Sequence, residues 1–256
     1  MIVAPNQGIV IQARSGSTRM KNKMLKPFYQ GKSILELLIE RLKKNFDHSK
    51  IVVATTTNLN DEAIVKLAER LEINCFKGSE SNVLVRFLDA ANNYDFDKIV
   101  RVCADNPFLD IEGVGKLIES MIDFHSDYHC FCTSAGIPTI KTHYGFWAEG
   151  IEVSALERVG QMATQPEDLE HVTKYIYEHP ELFDIRCIPI NSDVELLKSL
   201  RLTVDTENDF KIAQEIFKKV AIGHDSLLHT EKIIELVQSK KEWLDKMNTE
   251  INRNKK

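Results

Sequence analysis

The chain lacks any apolar run approaching the roughly 20 residues that cross a bilayer. Its start, Met1-Ile2-Val3-Ala4-Pro5-Asn6, also lacks a basic stretch followed by an apolar one. Neither a membrane anchor nor an export signal is expected, and a cytoplasmic protein is the corresponding reading. An overall positive charge is missing too: 38 acidic side chains oppose 33 Lys and Arg, for a net charge of -5. That balance disfavours a nucleic-acid partner, because a polyanion needs a basic face. The five cysteines, Cys75, Cys103, Cys130, Cys132 and Cys187, form no repeated C-x-x-C and no paired framework. Reduced thiols are therefore expected, with Cys130 and Cys132 as alternate positions of a strand rather than metal ligands.

A further absence is local. No Asp or Glu occurs before Glu36, whereas Arg14, Arg19, Lys21, Lys23, Lys26 and Lys32 all fall in that span. Within it, Gln12-Ala13-Arg14-Ser15-Gly16-Ser17-Thr18-Arg19-Met20-Lys21-Asn22-Lys23 follows directly on the apolar run 8–11. Gly16 and the small Ser15, Ser17 and Thr18 permit close backbone approach, so N–H groups can point at phosphate oxygens while the cations take up the charge of a polyphosphate. As a bare pattern it is equally an ordinary solvated basic loop. It is neither G-x-x-x-x-G-K-[ST] nor G-x-G-x-x-G, so a P-loop ATPase and a dinucleotide fold lose their usual fingerprints.

With 256 residues the chain can bury one large core, and no repeat or low-complexity linker divides it. Residues 8–12 read as a strand. Ser33 then caps a helix with Glu36 three positions on and Ile34, Leu35, Leu38, Ile39 and Leu42 at helical spacing. Strands over 50–55, 75–76 and 98–103 alternate with helices over 60–71, from Ser79 or Ser81 to 92, and over 111–124. This alternation predicts the α/β class, with a mostly parallel sheet between two helical layers. Beyond residue 128 the expected strands are 129–133, 144–148, 151–153, 183–190 and 201–204. Helices are expected over 155–162, 168–177 and 230–247, and another follows Asp205 or Thr206, either of which can cap it, with Asp209 in capping-box position. The reading is one catalytic domain over 1–225, with an acceptor-binding or dimerisation insertion around 136–165. Residues 226–256 then form a helix and a frayed tail packed on that domain. Tyr144, Phe146 and Trp147 would cover an acceptor or pack on a second copy, which makes a homodimer one expectation.

Ligands of such sheets bind beyond the carboxyl ends of the strands, where both the Arg14 turn and the Asp105 loop fall. Asp105 can hold a divalent cation bridging triphosphate oxygens, or it can form an Asx turn before Asn106-Pro107. Asp205 can supply a second carboxylate to that cation, or it can be a plain helix cap. Arg101 and Arg201 are candidate phosphate or acceptor ligands, or partners of carboxylates. His171, on an amphipathic segment, is a packed or surface residue unless it faces a ligand.

The segment Gln12-Ala13-Arg14-x-x-Ser17-Thr18-Arg19-Met20-x-x-Lys23-x-Leu25 resembles the opening motif of the cytidylyltransferase family, which includes the spore-coat polysaccharide biosynthesis protein F group and the acylneuraminate and 3-deoxy-manno-octulosonate enzymes. Gly78-Ser79-Glu80-Ser81-Asn82-Val83-Leu84-x-Arg86-Phe87, Arg101-Val102-Cys103-Ala104-Asp105-Asn106-Pro107, Gly150-Ile151-Glu152-Val153, Glu170-His171-Val172-Thr173-x-Tyr175-Ile176 and Arg201-Leu202-Thr203-Val204-Asp205-Thr206 resemble later family blocks in the same order. The resemblance implies a GT-A-like, Rossmann-like fold and transfer of CMP from CTP to a small acceptor, with release of diphosphate. Phosphoglutamine is one such acceptor. It further implies that Arg14 and Lys23 contact the triphosphate, with Arg19 a further phosphate ligand. Asp105 and Asp205 would hold Mg2+, for which Mn2+ can substitute. Gln12, Ala13, Ser15, Gly16, Ser79, Asn82, Arg86 and Ala104 would surround the nucleotide, and Arg101, Glu152, His171 and Arg201 would bind the acceptor. Three departures stand out: Lys21-Asn22-Lys23 replaces the usual Pro-Gly-Lys, Ser81-Asn82 replaces an acidic pair, and the glycine-led block ends Glu152-Val153-Ser154 rather than Glu-Val-Phe.

Overall fold

The computed structural model describes residues 6–16, 19–221 and 228–253. Ser17 and Thr18 of the basic turn and the end of the tail, 254–256, lie outside the described residues. In chain order, β1 (Gln7–Gln12) leads through the basic turn to β2 (Pro27–Tyr29) and β3 (Lys32–Ser33), an antiparallel hairpin. Next come α1 (Ile34–Asn45), β4 (Ile51–Thr56), α2 (Glu62–Arg70), β5 (Asn74–Gly78), α3 (Val83–Asn93), β6 (Lys98–Cys103) and α4 (Ile111–Asp123). The second half adds β7 (Tyr128–Cys132), β8 (Glu149–Glu152), α5 (Val153–Met162), α6 (Pro166–Glu170), α7 (Lys174–Glu178), β9 (Ile185–Pro189) and α8 (Ser192–Leu196). It closes with α9 (Glu207–Val220), α10 (Thr230–Gln238) and α11 (Lys241–Arg253).

Seven strands form one sheet in the order β5-β4-β1-β6-β8-β7-β9. Only β8 runs antiparallel to its neighbours, β6 and β7; the other pairings are parallel. The central strands are apolar on both sides, as a sheet covered on two faces demands. Ile9 and Ile11 of β1 pack with Leu35, Leu38, Ile39 and Leu42 of α1, and Val114 and Leu117 of α4. Val10, between them, faces Val83, Leu84 and Phe87 of α3 and Leu156 and Val159 of α5 on the opposite side. A third apolar cluster joins α9, α10 and α11 to Phe28, Phe108 and Phe146. No helix among the described residues is long and apolar enough to cross a membrane.

Local signals form as expected. Ser33 Oγ accepts from Glu36 N at 3.2 Å at the start of α1, and Thr206 and Asp209 complete a reciprocal capping box on α9. Several expectations need correction. The single helix over 168–177 is two, because the backbone breaks at His171, the C-terminal cap of α6. The helix expected over 230–247 likewise divides at Ser239-Lys240 into α10 and α11. Residues 201–204 are not a strand; Leu202 N–H donates to His143 O and Val204 N–H to Asp105 O, so the segment is held by loops. Residues 144–148 are not a strand either. Phe146 is buried in the third cluster and Trp147 stacks on Phe131, so these two aromatics pack within the chain.

The cysteines also depart from the expectation of reduced thiols. Cys132 and Cys187 are joined in a disulfide, with Cα atoms 5.6 Å apart. Parallel pairing of β7 with β9 brings them together across 55 residues of sequence, a proximity that linear spacing does not record. Cys75, Cys103 and Cys130 remain thiols.

Candidate active site

The site is built at the carboxyl ends of β1, β4 and β6. Ala13 N–H still donates to Ala54 O at 3.3 Å, so pairing of β1 with β4 persists one residue past the strand before the chain turns away at Arg14. Ser15 points inward and is buried. Its N–H and hydroxyl both donate to Asp61 Oδ1, at 2.6 and 2.5 Å, while Thr56 at the end of β4 donates its N–H and hydroxyl to Asp61 Oδ2. Burial alone would raise the Asp61 pKa, but these bonds outweigh it and hold the carboxyl below its ordinary value. Ser15 O in turn accepts from Asn22 N at 3.2 Å and closes the neck of the turn. Asn22 sits at φ 55°, a left-handed conformation that asparagine tolerates, immediately before Lys23.

Lys23 is the centre of the site. Its ammonium is buried and donates to Asp105 Oδ2 at 3.2 Å, to Asp205 Oδ1 at 3.0 Å and to Val204 O at 2.6 Å. Burial pulls its pKa down, but Asp105 and Asp205 outweigh that and hold it above the ordinary lysine value. Burial likewise lifts Asp205, yet Lys23, Arg19 and Arg201 outweigh it and hold the carboxyl low. Arg19 Nη2 lies 3.1 Å from Asp205 Oδ1, and Arg201 Nη2 lies 3.2 Å from Asp205 Oδ2. Two buried arginines brace this floor. Arg41 of α1 donates to Pro107 O and Leu109 O, fixing the loop after Asp105, and Arg201 is clamped by Asp209 at 2.9 Å through both Nε and Nη2.

Two carboxylates from remote segments thus reach one cationic nitrogen, and their oxygens accept its hydrogen bonds. Hard oxygen ligands of this kind suit a magnesium-sized ion, and the convergence that holds the ammonium is one that could hold a divalent cation between Asp105 and Asp205.

The other expected residues divide into groups. Arg14 lies beside the Glu170 carboxylate, 3.2 Å away, which brings the Glu170-His171 block to the turn; His171 itself is exposed. Gln12 Oε1 accepts from Arg101 Nε and Nη2 at 3.1 and 2.9 Å. Arg101 is buried and ion-paired with Glu149, whose other oxygen accepts from Tyr128 and Thr173. Arg101 and Arg201 are therefore partners of carboxylates in this structure. Ser79 and Asn82 serve local structure: Ser79 Oγ accepts from Asn82 N, and Asn82 Oδ1 caps α3 through Val85 N. Arg86 is fully buried and donates to Ser79 O; its Nε and Nη2 find no acceptor among the described residues. Burial, reinforced by nearby Arg14, lowers its pKa to about 10. Ala13 and Ala104 are buried, and Gly16 is exposed.

Glu152 is not brought to this group. It pairs in register with Lys98 and lies 2.6 Å from its ammonium, at the start of β6 and the opposite edge of the sheet from Asp105. The alternation of β8 accounts for this: an antiparallel strand carries its end away from the carboxyl edge of its neighbours. The residues missed from sequence are Asp61, Glu149 and Asp209 as holders of the turn, Arg101 and Arg201. Only Asp209 had a local signal, its capping-box spacing.

Comparison with known proteins gives the family. The chain is 41% identical over 211 residues to the uncharacterized protein MJ1063 of Methanocaldococcus jannaschii, covering 82% of each. It is 28% identical over 215 residues to the spore coat polysaccharide biosynthesis protein SpsF of Bacillus subtilis, covering 82% of this chain and 85% of that one. The structure of a cytidylyltransferase from Leptospira borgpetersenii superposes with a TM-score of 0.83 at 26% identity, over 94% of this chain and 97% of that one. A family model described as cytidylyltransferase matches residues 9–248, and the chain belongs to the cytidylyltransferase family.

Proposed function

We propose that the protein transfers CMP from CTP to a small phosphorylated or acidic acceptor, releasing diphosphate, in the synthesis of a surface or capsule polysaccharide precursor. One observation carries the reading: the Lys23 ammonium, at the end of an acid-free basic turn, bridges Asp105 and Asp205 at the carboxyl edge of the sheet. A lone basic loop has no reason to end in two convergent carboxylates. A nucleoside triphosphate with a divalent cation needs both signs of charge at one place.

In the proposed reaction an acceptor oxygen attacks the α-phosphorus of CTP in line with the leaving group. The bond from the α-phosphorus to the α–β bridging oxygen breaks, and its electron pair departs with diphosphate. A phosphomonoester acceptor is already nucleophilic near neutral pH and needs no strong base. Arg14, Arg19 and Lys23 hold the triphosphate, and Lys23 meets the charge that develops at the α-phosphoryl group. Asp105 and Asp205 would hold Mg2+, or Mn2+ in its place, which when bound neutralises triphosphate charge. Arg86, with two buried nitrogens that lack acceptors among the described residues, serves the nucleotide from beneath the Ser79–Asn82 segment. The name of the Bacillus relative supports a polysaccharide pathway, and phosphoglutamine is one acceptor to include.

The test is a diphosphate-release screen of the four nucleoside triphosphates with magnesium against phosphoglutamine, sugar and polyol phosphates, and nonulosonates. Release with CTP and one acceptor class is expected. Release with another triphosphate in preference to CTP, or with none across the screen, would reject the reading.

A further inference from the structure

Aspartate at the start of a helix ordinarily accepts a hydrogen bond from that helix's own first turn. Asp61, the N-terminal cap position of α2, makes no such bond. Its carboxylate turns instead toward the ligand-bearing edge and accepts four bonds, two from Ser15 and two from Thr56. The residue is 2% exposed, and among the described residues no cation lies within ion-pair distance of it. A buried carboxylate is costly unless its lone pairs are satisfied, and here the donors that satisfy it come from the root of the basic turn and the end of β4.

We propose that Asp61 is a positioning residue of the phosphate turn, fixing the direction in which residues 14–16 leave β1 and, through Ser15, the neck that delivers Lys23. This rests on the reading of that turn as the seat of a triphosphate. The linkage is continuous: Asp61 holds Ser15, Ser15 O holds Asn22 N–H, and Lys23 follows Asn22. The Ser15 N–H and hydroxyl are both committed to Asp61, so Ser15 orients the turn rather than contacting phosphate. Each carboxylate oxygen faces a backbone N–H, which can only donate, beside a hydroxyl that can turn either way, so both sides of the Asp61 head call for an acceptor. Asparagine has the same size but carries an amide N–H2 on one side, which must face donors from either Ser15 or Thr56.

Charge and geometry make opposite predictions for Asp61→Asn. Removing a negative charge beneath the turn would by Coulomb's law alone tighten a polyanion, whereas misdirecting the turn weakens it. The experiment measures binding of CTP and of inorganic triphosphate by calorimetry, with thermal midpoints recorded alongside, for the wild type, Asp61→Asn, Thr56→Val and Asp127→Asn. Asp127 is a carboxylate held by Arg158 and by Asp184 N–H away from the turn, and its loss controls for general destabilisation. Asp61→Asn is expected to weaken both ligands by about tenfold or more, and Thr56→Val by roughly threefold, since it removes one of the four bonds to Asp61 together with the local bond its hydroxyl accepts from Asn58 N. Asp127→Asn lowers the thermal midpoint but leaves both affinities within about twofold. Equal or tighter binding by folded Asp61→Asn overturns the inference; if that variant does not fold, unchanged binding by Thr56→Val does so. A wild type that binds neither CTP nor triphosphate overturns the triphosphate reading itself.

Discussion

Replacing Lys23 with methionine keeps the unbranched apolar stem, one atom shorter, and removes the charge from between Asp105 and Asp205. The two carboxylates then face each other without the cation they share. Breaking a fully buried ion pair costs about 3–5 kcal/mol. Here the aspartate side chains keep 26% and 18% exposure, and Arg19 and Arg201 still contact Asp205. The expected loss is therefore nearer 2 kcal/mol at neutral pH, allowing for solvent screening. For a chain of this size that lowers the thermal midpoint by roughly 4–8 °C.

The pH dependence has a definite sign. Asp205 has a depressed folded pKa, so its contribution is present above the ordinary aspartate range and is lost as pH falls through the folded value. In Lys23→Met the carboxylate loses its main support and protonates at higher pH, so the stability gap between wild type and variant narrows on acidification. Lys23 has a raised folded pKa, so its contribution is complete below the ordinary lysine value and fades only as pH rises through the folded one. The gap is thus widest across neutral pH. Magnesium should raise the midpoint of the variant more than that of the wild type, because no ammonium competes for the carboxylates. CMP transfer should fall by about 10²–10³-fold. Scanning calorimetry from pH 4 to 9, with and without magnesium, measures all but the last of these. A variant as stable as wild type at neutral pH, with a gap that is flat in pH, would refute the reasoning.

Asp105→Asn and Asp205→Asn should each lower magnesium-dependent diphosphate release by orders of magnitude while circular dichroism stays native; near-normal turnover in both would reject the paired-carboxylate site. Glu149→Gln removes the charge that holds buried Arg101 and should cost about 3 kcal/mol, read from the urea midpoint. Reduction of Cys132–Cys187 opens a long loop and should cost up to about 4 kcal/mol in the chain-entropy model. A urea titration with and without a phosphine reductant checks it, and Cys132→Ser should be insensitive to the reductant.

Features encoded by neighbouring residues could be read from the sequence. Ser33 with Glu36, and Thr206 with Asp209, announce helix starts because the bonds they form span three positions. The central strands were readable for the same reason, being continuous apolar runs bounded by turns. What escaped is encoded across the fold. Asp61 meets Ser15 over 46 residues, Arg101 meets Glu149 over 48, and Cys132 meets Cys187 over 55. No periodicity announces such meetings. Glu152 was misplaced because its block suggested proximity, whereas the direction of β8 decides it. Lys23, Asp105 and Asp205 were accessible only because several family-like blocks occur in order; each alone reads as well as a loop or a cap.

The Asp209 carboxylate accepts from Thr206 N–H and Asp205 N–H and also grips Arg201, which leans on Asp205. One side chain therefore both begins α9 and sets the posture of an acid at the proposed reaction edge. The closing helical layer and that acid are in this sense a single mechanical part. An engineer who trims or regrafts that layer to improve expression would be moving Asp205 at the same time.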